Sequence, residues 1–372
     1  MLRSHYDVGV VGAGPAGSIC ATLLARRGLS VLLVHDGGPS SPSLFPETLA
    51  APTLRVLEGH GIPVDFVTEG ARPCRRIATA WESPEANVIE IEWLRCRPGL
   101  TVDRNSFDPA LRSVALSAGA TMIEGRVTRL TVPADGLITL EVSHDGRSSA
   151  IACRVVIEAT GRAGLPGNPA LDRRIYFDRL IAIARHVSGA TPTDYDQLRV
   201  EVTENGWWYL AEHPREGLIA VFLTDGDLFD HARGDFDKQL ASEFLGTCLP
   251  LSLEPESVVP GSRPFRDART SSRRLLGRGG WLPIGDAAYT IDPLSGSGLN
   301  LAARSAGRAA IATFEYLSTD DHQPLIELAI ATSQELNGML KDRSETYQSA
   351  ASRFTTSPFW KRRLYQTKIA TL

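Results

Sequence analysis

Two glycine-rich stretches hold the residues whose types and spacing could do chemistry. The first is Gly12-x-Gly14-x-x-Gly17, in full Gly12-Ala13-Gly14-Pro15-Ala16-Gly17. A bare Cα at Gly12 permits a tight turn, one at Gly14 lets a pyrophosphate approach the backbone, and one at Gly17 lets a helix pack closely on a strand. A helix starting there turns free N–H groups and the positive end of its dipole toward the phosphates. The same fingerprint expects an acidic residue at the end of the second strand to hold a ribose. Counting from Gly12, that place falls on His35, with Asp36 next to it, and either could bond a ribose hydroxyl. The second stretch is Gly285-Asp286-Ala287-Ala288 followed by Asp292-Pro293-Leu294-Ser295-Gly296-Ser297-Gly298-Leu299-Asn300. No Ser/His/Asp or Cys/His constellation offers a nucleophile, and no His/Cys cluster has metal-ligand spacing, so no metal is expected. Chemistry would have to come from a bound organic group.

The elements that must position these turns are readable in the apolar pattern. Tyr6-Asp7-Val8-Gly9-Val10-Val11 has the composition of a buried parallel strand. Ile19, Leu23 and Leu24 then recur at helical spacing, with Gly28 placed to stop the helix and a second strand from Ser30 to Val34. Asp103 to Gly119 carries Phe107, Leu111, Val114 and Ala115 at helical spacing. It leads into Thr121-Met122-Ile123, alternating strands through Val142, and the buried strand Val155-Val156-Ile157. Two stretches differ. Ile77 to Leu94 alternates weakly and contains Trp81 and Trp93, and Tyr176 to Thr224 reads as several antiparallel strands. Strand-rich insertions between pieces of an α/β fold predict a discontinuous second domain. After Asn300 the chain turns helical, with Ala302, Ala306, Ala310, Phe314 and Leu317 on one face.

Composition narrows the class. A chain of 372 residues that is 43% hydrophobic has room for two or three domains and a large core. A net charge of -4 argues against nucleic acid or anionic membrane as main partner. No apolar run reaches the roughly 18 residues of a membrane span, and Met1 to Asp7 does not read as a signal peptide. The five cysteines, Cys20, Cys74, Cys96, Cys153 and Cys248, lie far apart, which suits free thiols in a reducing compartment. A soluble, cytoplasmic protein is expected.

Gly-Asp-Ala-Ala followed by Pro-x-x-Gly-x-Gly-x-Asn resembles the FAD signature of flavoprotein monooxygenases related to p-hydroxybenzoate hydroxylase. The resemblance implies that Gly285-Asp286 meets the ribityl chain of FAD through the carboxylate. It implies also that Gly296-Ser297-Gly298-Leu299-Asn300 opens a helix aimed at the flavin ring. Backbone N–H groups at a helix start stabilise the negative charge of a reduced flavin, which is the physical sense of that turn. Asp103-Arg104 is similar to the family segment whose arginine lies by the FAD. Gly125-Arg126-Val127 is similar to the strand end that contacts the adenine, and Ala159-Thr160-Gly161-Arg162 to the turn that passes the cofactor. Phe45-Pro46-Glu47-Thr48-Leu49, Gly206-Trp207-Trp208-Tyr209-Leu210 and the tail Ser357 to Arg363 look like the tryptophan-halogenase-like branch. That branch includes flavoproteins that help to make protein-derived quinone cofactors. Halogenases of the family need a lysine in the first third of the chain and a Trp-x-Trp-x-Ile-Pro motif. Here the first lysine is Lys238, and Trp207-Trp208-Tyr209-Leu210-Ala211 departs from the motif.

The fold implied is α/β, the glutathione-reductase-like FAD-binding fold with an antiparallel-sheet second domain and a short helical C-terminal tail packed on the outside. The FAD-binding domain is expected over residues 1–75, 100–165 and 270–310, the second domain over 76–99 and 166–269, and the tail over 311–372. The implied activity is hydroxylation of an electron-rich aromatic ring, an indole or phenol, free or protein-borne, through a flavin C4a-hydroperoxide formed with O2. No second Gly-x-Gly-x-x-Gly follows a strand, so NAD(P)H or a partner flavin reductase would reduce the FAD directly. Alternatives are a geranylgeranyl-reductase-type reduction of C=C bonds, a flavin-dependent halogenase, and a non-enzymatic flavin-binding module. Trp207, Tyr209, Glu47 and Pro293 are candidate pocket residues, with Trp207 and Tyr209 on one strand face and Trp208 on the other. His186 and His213 are expected to be satisfied or exposed, and Lys361-Arg362-Arg363 to form a solvated helix face.

Overall fold

A strand covered on both faces can be apolar at nearly every position, and Val8 to Val11 behaves this way. In the computed structural model, His5–Val11 pairs in parallel with Val31–His35 on one side and Arg147–Glu158 on the other. Thr121–Glu124 adds in parallel beyond Val31–His35, and Trp281–Pro283 runs parallel to the last residues of Arg147–Glu158. The first half of Arg147–Glu158 pairs instead with Ile138–His144 in an antiparallel extension that ends on Arg126–Thr131. The carboxyl ends of the parallel strands share one edge, where open α/β sheets take their ligands. The structure describes residues 3–37, 43–91, 96–133, 136–165, 173–189, 195–228, 236–245, 265–274, 276–277 and 279–370; Trp93, Leu94 and Cys248 lie outside these. Helices Pro15–Ala25, Arg104–Ser117 and Gly298–Thr319 cover one face of the sheet with Ile19, Leu23, Phe107, Leu111, Ala303 and Ala306 in a common core.

The second large sheet has the order Phe265–Asp267, Leu180–His186, Gly217–Asp225, Gly206–His213, Gln197–Thr203, Arg76–Ala80, Asn87–Glu90. Every pairing in it is antiparallel except Gln197–Thr203 with Arg76–Ala80, which is parallel. Alternation along Gly206–His213 divides the aromatic run as its spacing implies. Trp208 packs on Phe222 and on Phe244 of helix Phe236–Leu245, at 4.8 and 5.2 Å between ring centroids. Trp207, on the other face, meets Trp81 at 6.0 Å and donates from its indole to the Tyr347 hydroxyl at 3.0 Å.

The C-terminal helices differ from expectation. Helices Gln323–Ala351 and Pro358–Ala370 do not lie on the outside as a short tail; they close the Trp207 face, burying Tyr347, Phe359 and Trp360. The run Lys361-Arg362-Arg363 is solvated only in part: Lys361 is exposed, and the two arginines turn to carboxylates. Arg363 is 3% exposed, ion-paired to Asp225 at 3.0 Å and stacked over Phe359 at 3.4 Å, and Arg362 reaches Asp225 and Asp227. The reason is Asp225, a buried carboxylate at a strand end that requires a cation. Two small sheets complete the fold: Arg174–Tyr176, Ser271–Arg273, Tyr289–Thr290, and Glu47–Leu49, Gly99–Val102, Arg72–Cys74. Among the described residues no helix is long and apolar enough to cross a membrane.

Candidate functional site

A cavity of about 830 Å³ opens at the carboxyl ends of the parallel strands. Its floor is the first glycine turn. Gly12 has φ +102°, and a Cβ there would stand 2.3 Å from the Ala159 carbonyl oxygen, so only glycine fits. Gly17 meets the same limit, since a Cβ would lie 1.8 Å from the Gly12 oxygen. At Gly14 a Cβ would meet nothing within 4 Å, which leaves the backbone bare toward the cavity. Helix Pro15–Ala25 starts there with no side-chain cap, no acidic residue in its first turn, and proline at its first positions. Its leading N–H groups are therefore available to an anion, and this is the test that a dinucleotide phosphate passes.

The walls come from segments far apart in sequence. His35 and Asp36 stand at the end of Val31–His35, with the imidazole 4.0 Å from the Asp36 carboxylate. Burial, and after it the Arg112 cation, holds the His35 imidazole below its ordinary value. Helix Arg104–Ser117 presents Arg104, Asp108 and Arg112 at successive four-residue steps, all lining the cavity. Asp103 caps that helix by accepting the Asn105 N–H at 2.8 Å, and Arg104 pairs with Asp108 at 2.6 Å. Val127, Thr160, Gly161, Asp286, Gly298 and Leu299 complete the wall, with Ala13, Pro15 and Ala16 below. Burial pushes the Asp286 carboxyl above the usual carboxylate range, against the pull of Arg162, whose Nε lies 3.6 Å away.

Glu47 lines the cavity and is held by two cations, Arg266 at 3.0 Å and Arg104 at 3.7 Å. Arg266 also donates to Ser43 at 2.7 Å and lies 4.4 Å above the Phe45 ring. The other candidates stand back. Trp207, expected as a pocket wall, is a core residue 1% exposed and does not line the cavity. Tyr209 is half-buried behind Glu47 and Arg266, its phenol pushed up by burial. Pro293 is exposed at the start of the turn Pro293–Ser295, whose carboxylate cap is Asp292. Gly285, Gly296, Ser297 and Asn300 support the wall without lining it: Gly285 donates to Ser305 at 3.0 Å, Gly296 closes the Pro293 turn at φ +57°, Ser297 touches Ser295, and Asn300 reaches Thr53. Among the histidines, His186 is exposed beside Glu216, and His213 is buried and accepts the N–H groups of Arg215 and Glu216 at 3.3 and 3.2 Å.

Arg112 and Asp108 line the cavity although no motif of the sequence contains them, and Arg126, of the Gly125-Arg126-Val127 segment, and Ala302 line it as well. The four-residue repeat Arg104, Asp108, Arg112 was a usable signal for the first two.

Residues 5–201 match the FAD binding domain family. Tryptophan 2-halogenase of Chondromyces crocatus is 28% identical over 83% of this chain and 61% of its own length. The chain therefore spans less than two thirds of that relative. Digeranylgeranylglycerophospholipid reductase 2 of Methanococcoides burtonii is 26% identical over 83% of this chain and 74% of its own. Among solved structures, the peptidyl tryptophan dihydroxylase QhpG, essential for tryptophylquinone cofactor biogenesis, superposes with TM-score 0.74 at 20% identity, covering 96% of this chain and 78% of that one.

Proposed function

Since the chain belongs to the FAD binding domain family and to its FAD-dependent oxidoreductases, we propose that it hydroxylates an electron-rich aromatic ring, an indole or a phenol, free or carried on a protein. When bound, FAD supplies the oxygen-activating chemistry, with NAD(P)H or a partner flavin reductase as donor and O2 as co-substrate. The chain's own part is binding, orientation and dryness. The Gly12 to Gly17 turn and the start of helix Pro15–Ala25 would take the diphosphate, and His35 or Asp36 the ribose. Asp286 would take the ribityl hydroxyls, and the first N–H groups of helix Gly298–Thr319 would face the ring, where negative charge grows on reduction. Arg104 and Arg266 keep Glu47 fixed beside that end.

The observation that favours oxygen transfer over halogenation is the nature of those cations. Both are arginines locked to carboxylates, and no lysine precedes Lys238. A guanidinium is not an amine nucleophile, so it offers no primary amine to carry a hypohalous acid. The likeness to digeranylgeranylglycerophospholipid reductases supports a second reading, hydride delivery to a carbon–carbon double bond.

Anaerobic reduction of the FAD-loaded protein, then rapid mixing with O2 in the presence of tryptophan or a tryptophan-containing peptide, separates the two. Hydroxylation requires a transient absorbing species before the oxidised spectrum returns, and a product heavier by one or two oxygen atoms. Featureless reoxidation with every aromatic compound, together with saturation of a prenyl double bond under anaerobic conditions, would establish the reductase instead.

A further inference from the structure

The small sheet Arg174–Tyr176, Ser271–Arg273, Tyr289–Thr290 lies behind the cavity wall and presents two arginines as a cross-strand pair, Arg174 opposite Arg273. Both side chains run to the same two turns. One nitrogen of Arg174, Nη2, donates to the Gly161 oxygen at 3.1 Å, the Asp286 oxygen at 2.7 Å and the Ala287 oxygen at 3.1 Å. Its Nη1 donates to Ser271 at 3.1 Å. Arg273 donates from Nε to the Ala287 oxygen at 2.9 Å and pairs with Glu158. Glu158 in turn accepts from Thr160 at 2.9 Å and from the Trp281 indole at 3.1 Å. Thr160, Gly161 and Asp286 are wall residues of the cavity, so the two guanidiniums span the two turns from behind.

The arrangement is kept at an electrostatic cost. Two like charges sit at one cross-strand pair, and burial, then Arg273, pulls the Arg174 guanidinium below its ordinary value. The Arg174 Nε is buried without a hydrogen-bond partner. A pair of apolar side chains would close the sheet without these penalties. What they would not do is bind carbonyls of both turns at once.

We propose that Arg174 is a positioning residue for the cofactor: through the Gly161, Asp286 and Ala287 carbonyls it fixes the separation of the two turns that grip FAD. It reaches the backbone of the two turns and does not line the cavity, so it acts through Gly161 and Asp286. The proposal rests on the FAD assignment and is independent of which reaction follows.

The test is FAD titration of apoprotein for the parent, Arg174→Lys and Arg174→Met, with the urea midpoint of each apoprotein measured in parallel. The parental affinity reports separately on the cofactor assignment. Loss of charge-assisted hydrogen bonds to both turns should raise the FAD dissociation constant about tenfold or more in each variant, with an altered visible circular dichroism of the bound flavin. Lysine should not rescue, since its ammonium sits one bond short of the Nη2 position that reaches the three carbonyls and offers no second nitrogen to Ser271. FAD affinity within twofold of the parent, with only the urea midpoint lowered, would make Arg174 a fastening of the small sheet and overturn the proposal. Full recovery of affinity in the lysine variant would overturn it too, because a cation that ends short of the two turns would then suffice. Should the methionine variant fail to fold, the lysine variant alone decides.

Discussion

At Asp286 and Gly12 the use of the cavity turns on a few atoms. Asp286→Ala removes the one carboxylate of the Gly285–Ala287 turn, and FAD affinity should fall about 10- to 100-fold, the loss of a hydrogen-bonded charged acceptor. The check is the flavin-to-protein ratio from the visible spectrum after gel filtration. Trp207 carries the opposite expectation. Trp207→Phe deletes the bond to the Tyr347 hydroxyl and part of a packed indole, which should cost about 1–3 kcal/mol of stability by urea denaturation while FAD affinity stays at the parental value. The glycine turn was readable in the sequence because its three glycines fall within one strand–turn–helix unit, where Gly17 answers to the Gly12 oxygen, although the atoms that confine Gly12, those of Ala159 and Thr160, arrive far downstream. Trp207 was misplaced for the converse reason. Alternation says that Trp207 and Tyr209 share a face, but the cover of that face, Tyr347 and Trp360, arrives far downstream.

Helix Arg104–Ser117 shows how an element is aimed. Its cap Asp103 is buried, and His213, at the end of strand Gly206–His213, stands 4.0 Å from that carboxylate with Arg215 at 2.8 Å. Burial, opposed by Asp103 and Glu216, holds the His213 imidazole below 6.5, and two backbone N–H groups bond its Nδ1 only while that nitrogen is unprotonated. The folded value lies below the unfolded one. The stabilising contribution is therefore complete above about pH 6.5 and is lost as pH falls through the folded value. Between pH 7 and pH 5 the thermal midpoint of the parent should drop more steeply than that of His213→Asn, whose amide oxygen can accept the same N–H groups without titrating in this range. Equal slopes in the two proteins would show that His213 does not govern the loss. The existence of this helix was readable from Phe107, Leu111, Val114 and Ala115. The four-residue repeat Arg104, Asp108, Arg112 marks its polar face, but that this face looks into a cavity depends on the strand Val31–His35 and the turn at Gly12, neither adjacent to it in sequence.

Across the whole molecule a buried ion-pair bridge ties helix Gln323–Ala351 to two connecting segments, one leading into strand Leu180–His186 and one following Tyr289–Thr290. Arg343, on helix Gln323–Ala351, pairs with Asp178 at 2.8 Å and with Asp292 at 2.7 Å, and Asp292 caps the Pro293–Ser295 turn that precedes helix Gly298–Thr319. Arg343→Met leaves two buried carboxylates without their cation, and about 3–5 kcal/mol should be lost in urea denaturation. No apolar periodicity announces such a bridge, since Asp178 and Asp292 read as loop residues until the helix lies across them. The cavity itself is assembled from chain positions between Val11 and Ala302. The glycine turn is synthesised more than 250 residues before the Gly285–Ala287 turn and the start of helix Gly298–Thr319. A nascent chain can thus fold its first strands but has nothing yet to close on a dinucleotide. A dinucleotide bound there would tie strand His5–Val11 to the Gly285–Ala287 turn and the start of helix Gly298–Thr319, so FAD added to apoprotein should raise its unfolding midpoint in step with FAD concentration.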